Sequence, residues 1–176
     1  FKQVFADHDI EVAQALISRA DLQSRTRYLN VRNTLEALIS IGVVPILNEN
    51  DVVAVEEIAG EIYGDNDRLS AMVANAVDAD LLLLLGDMQG LYTIDPHIDP
   101  NAELIASVHE ITAEIKQAAR GPHDDQGSGG MASKLDAAHL SMDSGIPMVV
   151  TSGRIDRVVE HICAGEKIGT RFEPSV

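Results

Sequence analysis

The sequence of 176 residues lacks a second cysteine, a long apolar run and an excess of basic residues. The lone Cys163 cannot form an intrachain disulfide, and the longest apolar run, Leu81 to Leu85, is far shorter than the roughly 20 residues of a membrane-spanning helix. Lys and Arg number 13 against 28 Asp and Glu, and the resulting charge of −15 excludes the simplest binders of nucleic acid or anionic membranes. Since no charged-then-apolar leader precedes the first predicted helix, we expect an acidic, globular, cytoplasmic protein.

Helical and strand patterns alternate along the chain, with no internal repeat, low-complexity tract or linker between them. Apolar residues at helical spacing predict helices over 10–17, 35–39, 69–77, 135–142 and 155–162, the second of them ending before Gly42. Continuous apolar runs predict buried strands over 43–47, 81–85 and 146–150. Pro45 cannot donate to a strand ladder, so the first strand is expected at a sheet edge or pairing only after the proline. Buried strands separated by helices favour an α/β fold with a parallel sheet covered on both faces.

Polar residues follow all three predicted strands, where ligands bind in sheets of this kind. The first strand is followed by Asn48-Glu49-Asn50-Asp51, the second by Gly86-Asp87-Met88-Gln89-Gly90 and the third by Thr151-Ser152-Gly153. We expect Asp87 and the glycines of the second segment to meet a nucleotide, although the segment alone is also an ordinary turn. Further on, Asp95-Pro96 and Asp99-Pro100 indicate turns only.

The segment 43–67 holds seven acidic residues and no Lys or Arg. Within it, Asp65-Asn66-Asp67 has two interpretations. These side chains can cap the following helix, or they can face a cleft and hold a substrate ammonium or Mg²⁺. The spacing does not match an EF-hand.

A glycine-rich segment, 126–134, stands directly before a predicted helix and ends in Lys134. Its backbone N–H groups, the helix N-terminus and the lysine together favour a phosphate site, although mobile glycine-rich loops without a ligand are also common. It is not a Walker A sequence, because Ser133 and not Gly precedes the lysine. The six histidines have no metal-binding spacing, and Cys163 is predicted to pack on an apolar helix face.

Three segments together resemble the amino acid kinase family. They are Asn48-Glu49-Asn50-Asp51 after a Val-Pro-Ile strand, Gly64-Asp65-Asn66-Asp67 before a Leu-Ser-Ala helix, and Gly130-Met131 leading to Lys134. The resemblance extends from Arg19-Ala20-Asp21 to Gly169-Thr170 and includes Gly86-Asp87 with Gly90-Leu91-Tyr92-Thr93. It implies a three-layer α/β/α sandwich with a mostly parallel central sheet. Within the family, the chain is most similar to the members that transfer the ATP γ-phosphoryl group to the side-chain carboxylate of L-glutamate, the first step toward proline.

The resemblance also implies the roles of individual residues. Lys134 and Asp67 would be catalytic, with Asp67 orienting the lysine, while Mg²⁺ would accompany the ATP phosphates. Glutamate would be held by Asp51, Asn66, Asn48 and Asp65. ATP would be held by Gly86, Asp87, Ser128, Gly129, Gly130, Met131, Ala132, Ser133 and Lys134. This sequence has Gly86 where the family usually has Thr or Ser, and Ser128 and Ser133 where Thr is common.

Members of the family begin with a strand and a Gly-Ser loop that carries a second catalytic lysine, and neither is found in residues 1–176. We therefore expect this chain to be a single domain, the larger C-terminal part of an amino acid kinase domain whose N-terminal part is missing, and to be inactive or nearly so by itself. The resemblance further implies a homo-oligomer, and the charge of −15 leads us to expect that this domain binds neither nucleic acid nor membrane. Two alternatives remain open: a family member that phosphorylates another small acid or a nucleotide monophosphate, and a non-catalytic amino-acid-sensing domain.

Overall fold

A computed structural model describes residues 2–50, 66–96, 98–119 and 130–174. The helices are α1 Lys2–Ala6, α2 Arg19–Gln23, α3 Arg25–Ser40, α4 Asn66–Ala76, α5 Ala113–Ala118, α6 Met131–Asp143 and α7 Val158–Cys163. The strands are β1 Val12–Ile17, β2 Val44–Glu49, β3 Leu82–Gly86, β4 Ser107–Val108, β5 Met148–Ser152 and β6 Thr170–Phe172. The predicted alternation of helix and strand is confirmed from residue 25 onward.

The N-terminal apolar segment forms strand β1, so the prediction of a helix over 10–17 is wrong. β1 pairs in parallel with β2, from Val12 opposite Val44 to Ile17 opposite Glu49, with α2 and α3 as the crossover. An apolar segment of this length fits either a short helix or a strand, so its periodicity does not decide between them. The partner strand decides, because its backbone groups complete the hydrogen bonds of an extended segment.

Pro45 lies inside β2, where its missing N–H costs no hydrogen bond to β1. The N–H groups of Val44 and Asn50 donate to the carbonyl oxygens of Glu11 and Ile17 at 2.9 and 3.1 Å, so the even-numbered residues of this strand face β1 with their donors. The nitrogen of Pro45 points to the other side, where no strand pairs with β2 among the described residues. Within the described ranges β2 therefore lies at a sheet edge, as predicted, whereas the alternative that pairing begins after the proline is wrong.

Helix α3 ends at the predicted glycine. Gly42 has φ +77°, and its N–H donates to the carbonyl oxygen of Ile39 at 3.0 Å, while that of Val43 donates to the carbonyl oxygen of Leu38 at 3.0 Å. This is the Schellman arrangement, which favours glycine at the position with positive φ. It turns the chain directly into β2.

The second sheet has the strand order β3-β5-β6-β4, with parallel pairing except between β5 and β6. Leu82, Leu84, Met148 and Val150 join one apolar cluster with α4 and α6, whereas Leu83 and Val149 join another with Val158 and Ile162 of α7. Alternate residues of the same two strands therefore meet helices on opposite faces. This confirms the three-layer α/β/α arrangement.

Helix α4 joins the two sheets. Its Ala71 and Ala74 pack with Ala137 and Ala138 of α6 in the larger core, and small side chains let the two helices approach closely. Its Leu69 packs instead with Ile17 and Leu22, beside Leu47 of β2. One helix thus covers both sheets, and its first turn lies close to their carboxyl ends.

Cys163 is exposed at the last position of α7, so the prediction that it packs on an apolar face is wrong. The buried positions of this six-residue helix are Val158 and Ile162, and a helix this short has no further apolar turn to cover the cysteine.

Within the described ranges, every helix is too short or too polar to cross a bilayer.

Candidate functional site

The carboxyl ends of β3 and β5 lie side by side. Gly86, the last residue of β3, pairs with Ser152, the last residue of β5, and the N–H of Gly153 donates to the carbonyl oxygen of Gly86 at 2.9 Å. The loops that follow these strands therefore leave the sheet at neighbouring points, where α/β proteins hold their ligands.

Helix α6 begins at this edge of the sheet. Gly130 is its N-cap, with φ −80° and ψ −166°, and Lys134 is the fourth residue of the helix. A Cβ atom at Gly86 would lie 3.4 Å from Cε of Lys134, so the lysine stem runs across the end of β3 where the glycine has no side chain. The positive end of the helix dipole and the lysine charge therefore point to the same region.

Asp67 and Lys134 meet across the junction of α4 and α6. Lys134 Nζ lies 2.8 Å from Asp67 Oδ2, and the two side chains are 18% and 14% exposed. Ser133 Oγ also donates to Asp67 Oδ2, at 3.4 Å. The predicted contact between the two candidate catalytic residues is thus present, with the carboxylate holding a partly buried ammonium in one position.

Asp87 and Arg154 form a second ion pair at the same edge. Arg154 Nη2 donates to Asp87 Oδ1 at 3.0 Å, and the side chains are 80% and 83% exposed. Asp87 follows β3 and Arg154 follows β5, and the pairing of Gly86 with Ser152 brings the two residues together. Unlike Asp67 and Lys134, both groups are open to solvent.

A cleft of about 210 Å³ adjoins the start of α6. Gly130 and Met131 form one wall, and Tyr92, Ile94 and Pro96 line another part. Its lining is mostly apolar, and Lys134 lies one helical turn beyond Met131. The cleft and the lysine therefore adjoin the same helix N-terminus. Pro96, predicted only as part of a turn, lines this cleft as well.

The remaining predicted residues fall into two groups, apart from Ala132, which lies in the first turn of α6. Asn48 lies near the end of β2 and Asn66 at the start of α4, both exposed, on elements that pack together through Leu47 and Leu69. Asp51, Asp65, Ser128 and Gly129 lie outside the described residues, so their predicted roles remain predictions.

Gly90 lines the same cleft, so the expectation that it meets a nucleotide stays a prediction, and the residue also has a structural role. It is buried with φ +149°, and a Cβ atom there would lie 2.6 Å from Thr170 Oγ1 and 2.9 Å from Thr170 N. Its structural role is to let the chain pass close to β6, where the N–H of Leu91 donates to Thr170 Oγ1 at 2.7 Å.

Sequence reasoning gave no site role to Arg154, nor to Tyr92 within the Gly90-Leu91-Tyr92-Thr93 segment. Arg154 comes one residue after the Thr151–Gly153 segment already singled out, and a cation there, in so acidic a chain, was an available signal. Tyr92 lines the cleft together with Met131 of α6, and no local pattern predicts that these two segments meet.

Residues 1–152 match the model of the amino acid kinase family. Among curated proteins, the chain is 49% identical over 176 residues to a glutamate 5-kinase from Dehalococcoides mccartyi (strain ATCC BAA-2266 / KCTC 15142 / 195), covering 100% of this chain and 47% of that protein. It is 51% identical over 174 residues to a glutamate 5-kinase from Moorella thermoacetica (strain ATCC 39073 / JCM 9320), covering 99% and 45%. The chain thus spans about half the length of the curated relatives it matches.

Solved structures share the fold at low sequence identity. A UMP kinase from Bacillus anthracis superposes with a TM-score of 0.65 at 17% identity, covering 99% of this chain and 63% of that one. An isopentenyl phosphate kinase from T. acidophilum superposes with a TM-score of 0.63 at 19% identity, covering 97% and 63%. With the family match over residues 1–152 and the α/β/α layers described above, the chain belongs to the amino acid kinase family.

Proposed function

We propose that the full-length protein transfers the γ-phosphoryl group of ATP to the side-chain carboxylate of L-glutamate, giving L-glutamyl 5-phosphate for proline biosynthesis. The observation that carries this proposal is the Asp67–Lys134 pair at the carboxyl edge of β3, behind a helix N-terminus. Curated relatives that cover the whole chain at 49% and nearly all of it at 51% identity are glutamate 5-kinases, which supports glutamate as the acceptor.

The chemistry suits the groups at this edge. A carboxylate acceptor is already ionised, so phosphoryl transfer to it needs no general base, but it needs alignment and cations near the developing charge. A lysine ammonium has three N–H donors, and Asp67 Oδ2 accepts one of them. Lys134 would then direct its remaining donors at the transferring phosphoryl group, with Asp67 limiting its motion.

The apolar cleft supports a location for the nucleotide. We place the base in the cleft lined by Tyr92, Ile94 and Met131, and the phosphates toward the N-terminus of α6 and Lys134. Gly86 and Asp87 would border the nucleotide from the end of β3. The predicted contributions of Ser128 and Gly129 belong to this proposal as well.

Glutamate would lie on the β2 and α4 side of Lys134. Asn48 and Asn66 offer amide groups to its carboxylates, and Asp51 and Asp65 are proposed to take its ammonium. This arrangement sets the acceptor carboxylate opposite the nucleotide, with Lys134 between them.

Mg²⁺ would enter with the nucleotide and help neutralise its phosphates. Mg²⁺ bound in this way uses one or two carboxylates together with substrate phosphates and water, so a complete protein cage is not needed. In the described part of the chain, no group of three or more His, Cys, Asp or Glu residues is arranged to hold a metal by itself.

Acceptor specificity tests the proposal. The full-length protein would be supplied with MgATP and, in separate reactions, L-glutamate, L-aspartate, UMP or isopentenyl phosphate, and ADP release would be measured with hydroxylamine present to trap an acyl phosphate. We expect ADP release and hydroxamate formation with glutamate only. Preference for UMP or isopentenyl phosphate would overturn the assignment, and glutamate binding in calorimetry without ADP release would favour an amino-acid-sensing domain.

Three other expectations stay predictions. They are assembly into a homo-oligomer, a cytoplasmic location, and the division of the full-length protein that makes residues 1–176 the larger part of one kinase domain.

A further inference from the structure

Arg154 carries a charge at the β3–β5 edge that neither the family motifs nor the proposed mechanism uses. The loop that carries it is well defined: the N–H of Gly153 donates to Gly86 at 2.9 Å, and the N–H of Arg154 donates to Ser152 Oγ at 3.2 Å. From this fixed backbone, the guanidinium reaches Asp87 Oδ1 at 3.0 Å. The loop after β5 thus delivers a cation to the carboxylate that follows β3.

The charge of Asp87 is unfavourable beside a nucleotide unless it is compensated. A lone carboxylate repels ATP phosphates, whereas a carboxylate paired with a guanidinium can accept hydrogen bonds from a nucleoside at little electrostatic cost. The guanidinium contacts one oxygen, Oδ1, and leaves Oδ2 on the other side of the carboxylate. Because the chain as a whole has a charge of −15, the charge of Asp87 must be neutralised by a cation close to it, and Arg154 is such a cation.

We propose that Arg154 is a positioning residue for nucleotide binding, which orients and neutralises Asp87 at the end of β3. The inference rests on the proposed ATP site and acts through Asp87, so Arg154 itself transfers no group. It predicts that Arg154 affects the use of ATP and leaves the use of glutamate nearly unchanged.

The test compares four variants of the full-length protein: Arg154→Ala, Arg154→Lys, Asp87→Asn, and the double variant Arg154→Ala with Asp87→Asn. Arg157→Ala is the matched control, because Arg157 lies on the same loop, is also exposed and pairs with Glu160 instead of Asp87. ATP binding is measured by calorimetry, and KM for ATP, KM for glutamate and kcat are measured by ADP release. Thermal unfolding checks that each variant is folded.

We expect Arg154→Ala to weaken ATP binding and raise KM for ATP about fivefold, the upper range for one exposed charge pair. KM for glutamate and kcat should change less than twofold, Arg154→Lys should recover most of the loss, and Arg157→Ala should match the wild type. In the Asp87→Asn background, Arg154→Ala should have little further effect, because the charge that it neutralises is gone.

Unchanged ATP binding in Arg154→Ala, or an equal loss in Arg157→Ala, would overturn the inference. A fivefold loss that persists in the Asp87→Asn background would overturn the route through Asp87. If the wild type binds ATP but releases no ADP with glutamate, the proposed function fails, and the calorimetric comparison still decides the role of Arg154. A wild type that does not bind ATP overturns both.

Discussion

At the scale of single residues, two glycines with the same backbone angle differ in what surrounds them. Gly169 has φ +77° and Gly145 has φ +76°. A Cβ atom at Gly169 would collide with the carbonyl oxygen of Val150 and lie 2.7 Å from Cβ of Thr151, whereas at Gly145 nothing lies within 4 Å. The two positions separate backbone strain from steric collision.

We therefore expect Gly145→Ala to lower the free energy of unfolding by about 1–2 kcal/mol, the cost of positive φ alone. Gly169→Ala should cost at least about 2 kcal/mol more, because β5 or β6 must move to admit the methyl group. Urea unfolding of the two full-length variants measures the difference. Equal losses would contradict a steric role for Gly169.

Lys134 gives a second prediction at this scale. Lys134→Ala should lower kcat on the order of 10²-fold or more while changing KM for glutamate little. The reason is that Lys134 is proposed to stabilise the negative charge of the transferring phosphoryl group, which grows in the transition state. Steady-state ADP release would show this split, and Lys116→Ala, which removes an exposed lysine on α5, provides the control. An unchanged turnover rate would remove Lys134 from the mechanism.

The sequence allowed part of this site to be predicted and not the rest. Asp67 and Lys134 are 67 positions apart, and only motif resemblance indicated that they meet. Arg154 was missed because an exposed arginine in a loop has no local pattern of its own. The structural role of Gly90 depends on Thr170, which only the folded chain brings beside it.

At the scale of elements, the start of α2 carries a hydrogen-bonded carboxylate. The hydroxyl and N–H of Ser18 donate to Asp21 Oδ2 at 2.6 and 2.9 Å. Both bonds lower the pKa of Asp21 below its ordinary value of 3.8, and the bond from the hydroxyl has the larger effect. The charge of Arg27 lowers this pKa by a smaller amount. The interaction therefore favours the ionised form in the folded state.

Because the folded-state pKa is the lower one, the contribution of Asp21 to stability is present above about pH 4 and is lost as the pH falls through the folded-state value. We expect Asp21→Asn to be less stable than the wild type near neutral pH, with the difference shrinking below about pH 4. Urea unfolding across this range measures the effect. In a Ser18→Ala background the substitution should cost less, and a difference independent of pH would contradict the assignment.

Element types were predictable where a segment was long or bounded by a clear signal. The spacing of Leu35 and Leu38 with Gly42 beyond them predicted α3 and its end, and the leucine run predicted β3. β1 was mistaken for a helix because its six residues fit both periods, and its identity depends on pairing with β2 across more than twenty intervening residues. Such pairing is a tertiary fact that a local pattern does not contain.

At the scale of the whole molecule, the charge of −15 is compatible with the proposed anionic substrates because the cations at the candidate site are placed locally. Lys134 and Arg154 both reach the carboxyl edge of β3, each beside one carboxylate. At physiological ionic strength the Debye length is about 8 Å, so groups at the site outweigh distant surface acids. The net charge therefore affects the solubility of the protein and the rate at which it meets a charged ligand more than the strength of binding at the site.

In the described part of the chain the hydrogen-bonded strands form two sheets, and α4 packs on both. Leu69, 7% exposed, belongs to the cluster with Ile17 and Leu22, while Leu135, 5% exposed, belongs to the larger core. Truncating either leucine to alanine should cost about 2–5 kcal/mol. Because the two leucines belong to different clusters, each substitution should destabilise a different part of the molecule.

We expect Leu69→Ala to raise hydrogen exchange mainly in the amides of β1 and β2, because it loosens their contact with α4. Leu135→Ala should raise exchange mainly in β3 and β5, which share its cluster. Hydrogen exchange followed by mass spectrometry on the full-length variants makes the comparison. The same exchange pattern in both variants would show that the two clusters open as one unit. It would also show that α4 couples the proposed glutamate side of the site to the proposed nucleotide side more tightly than its separate contacts imply.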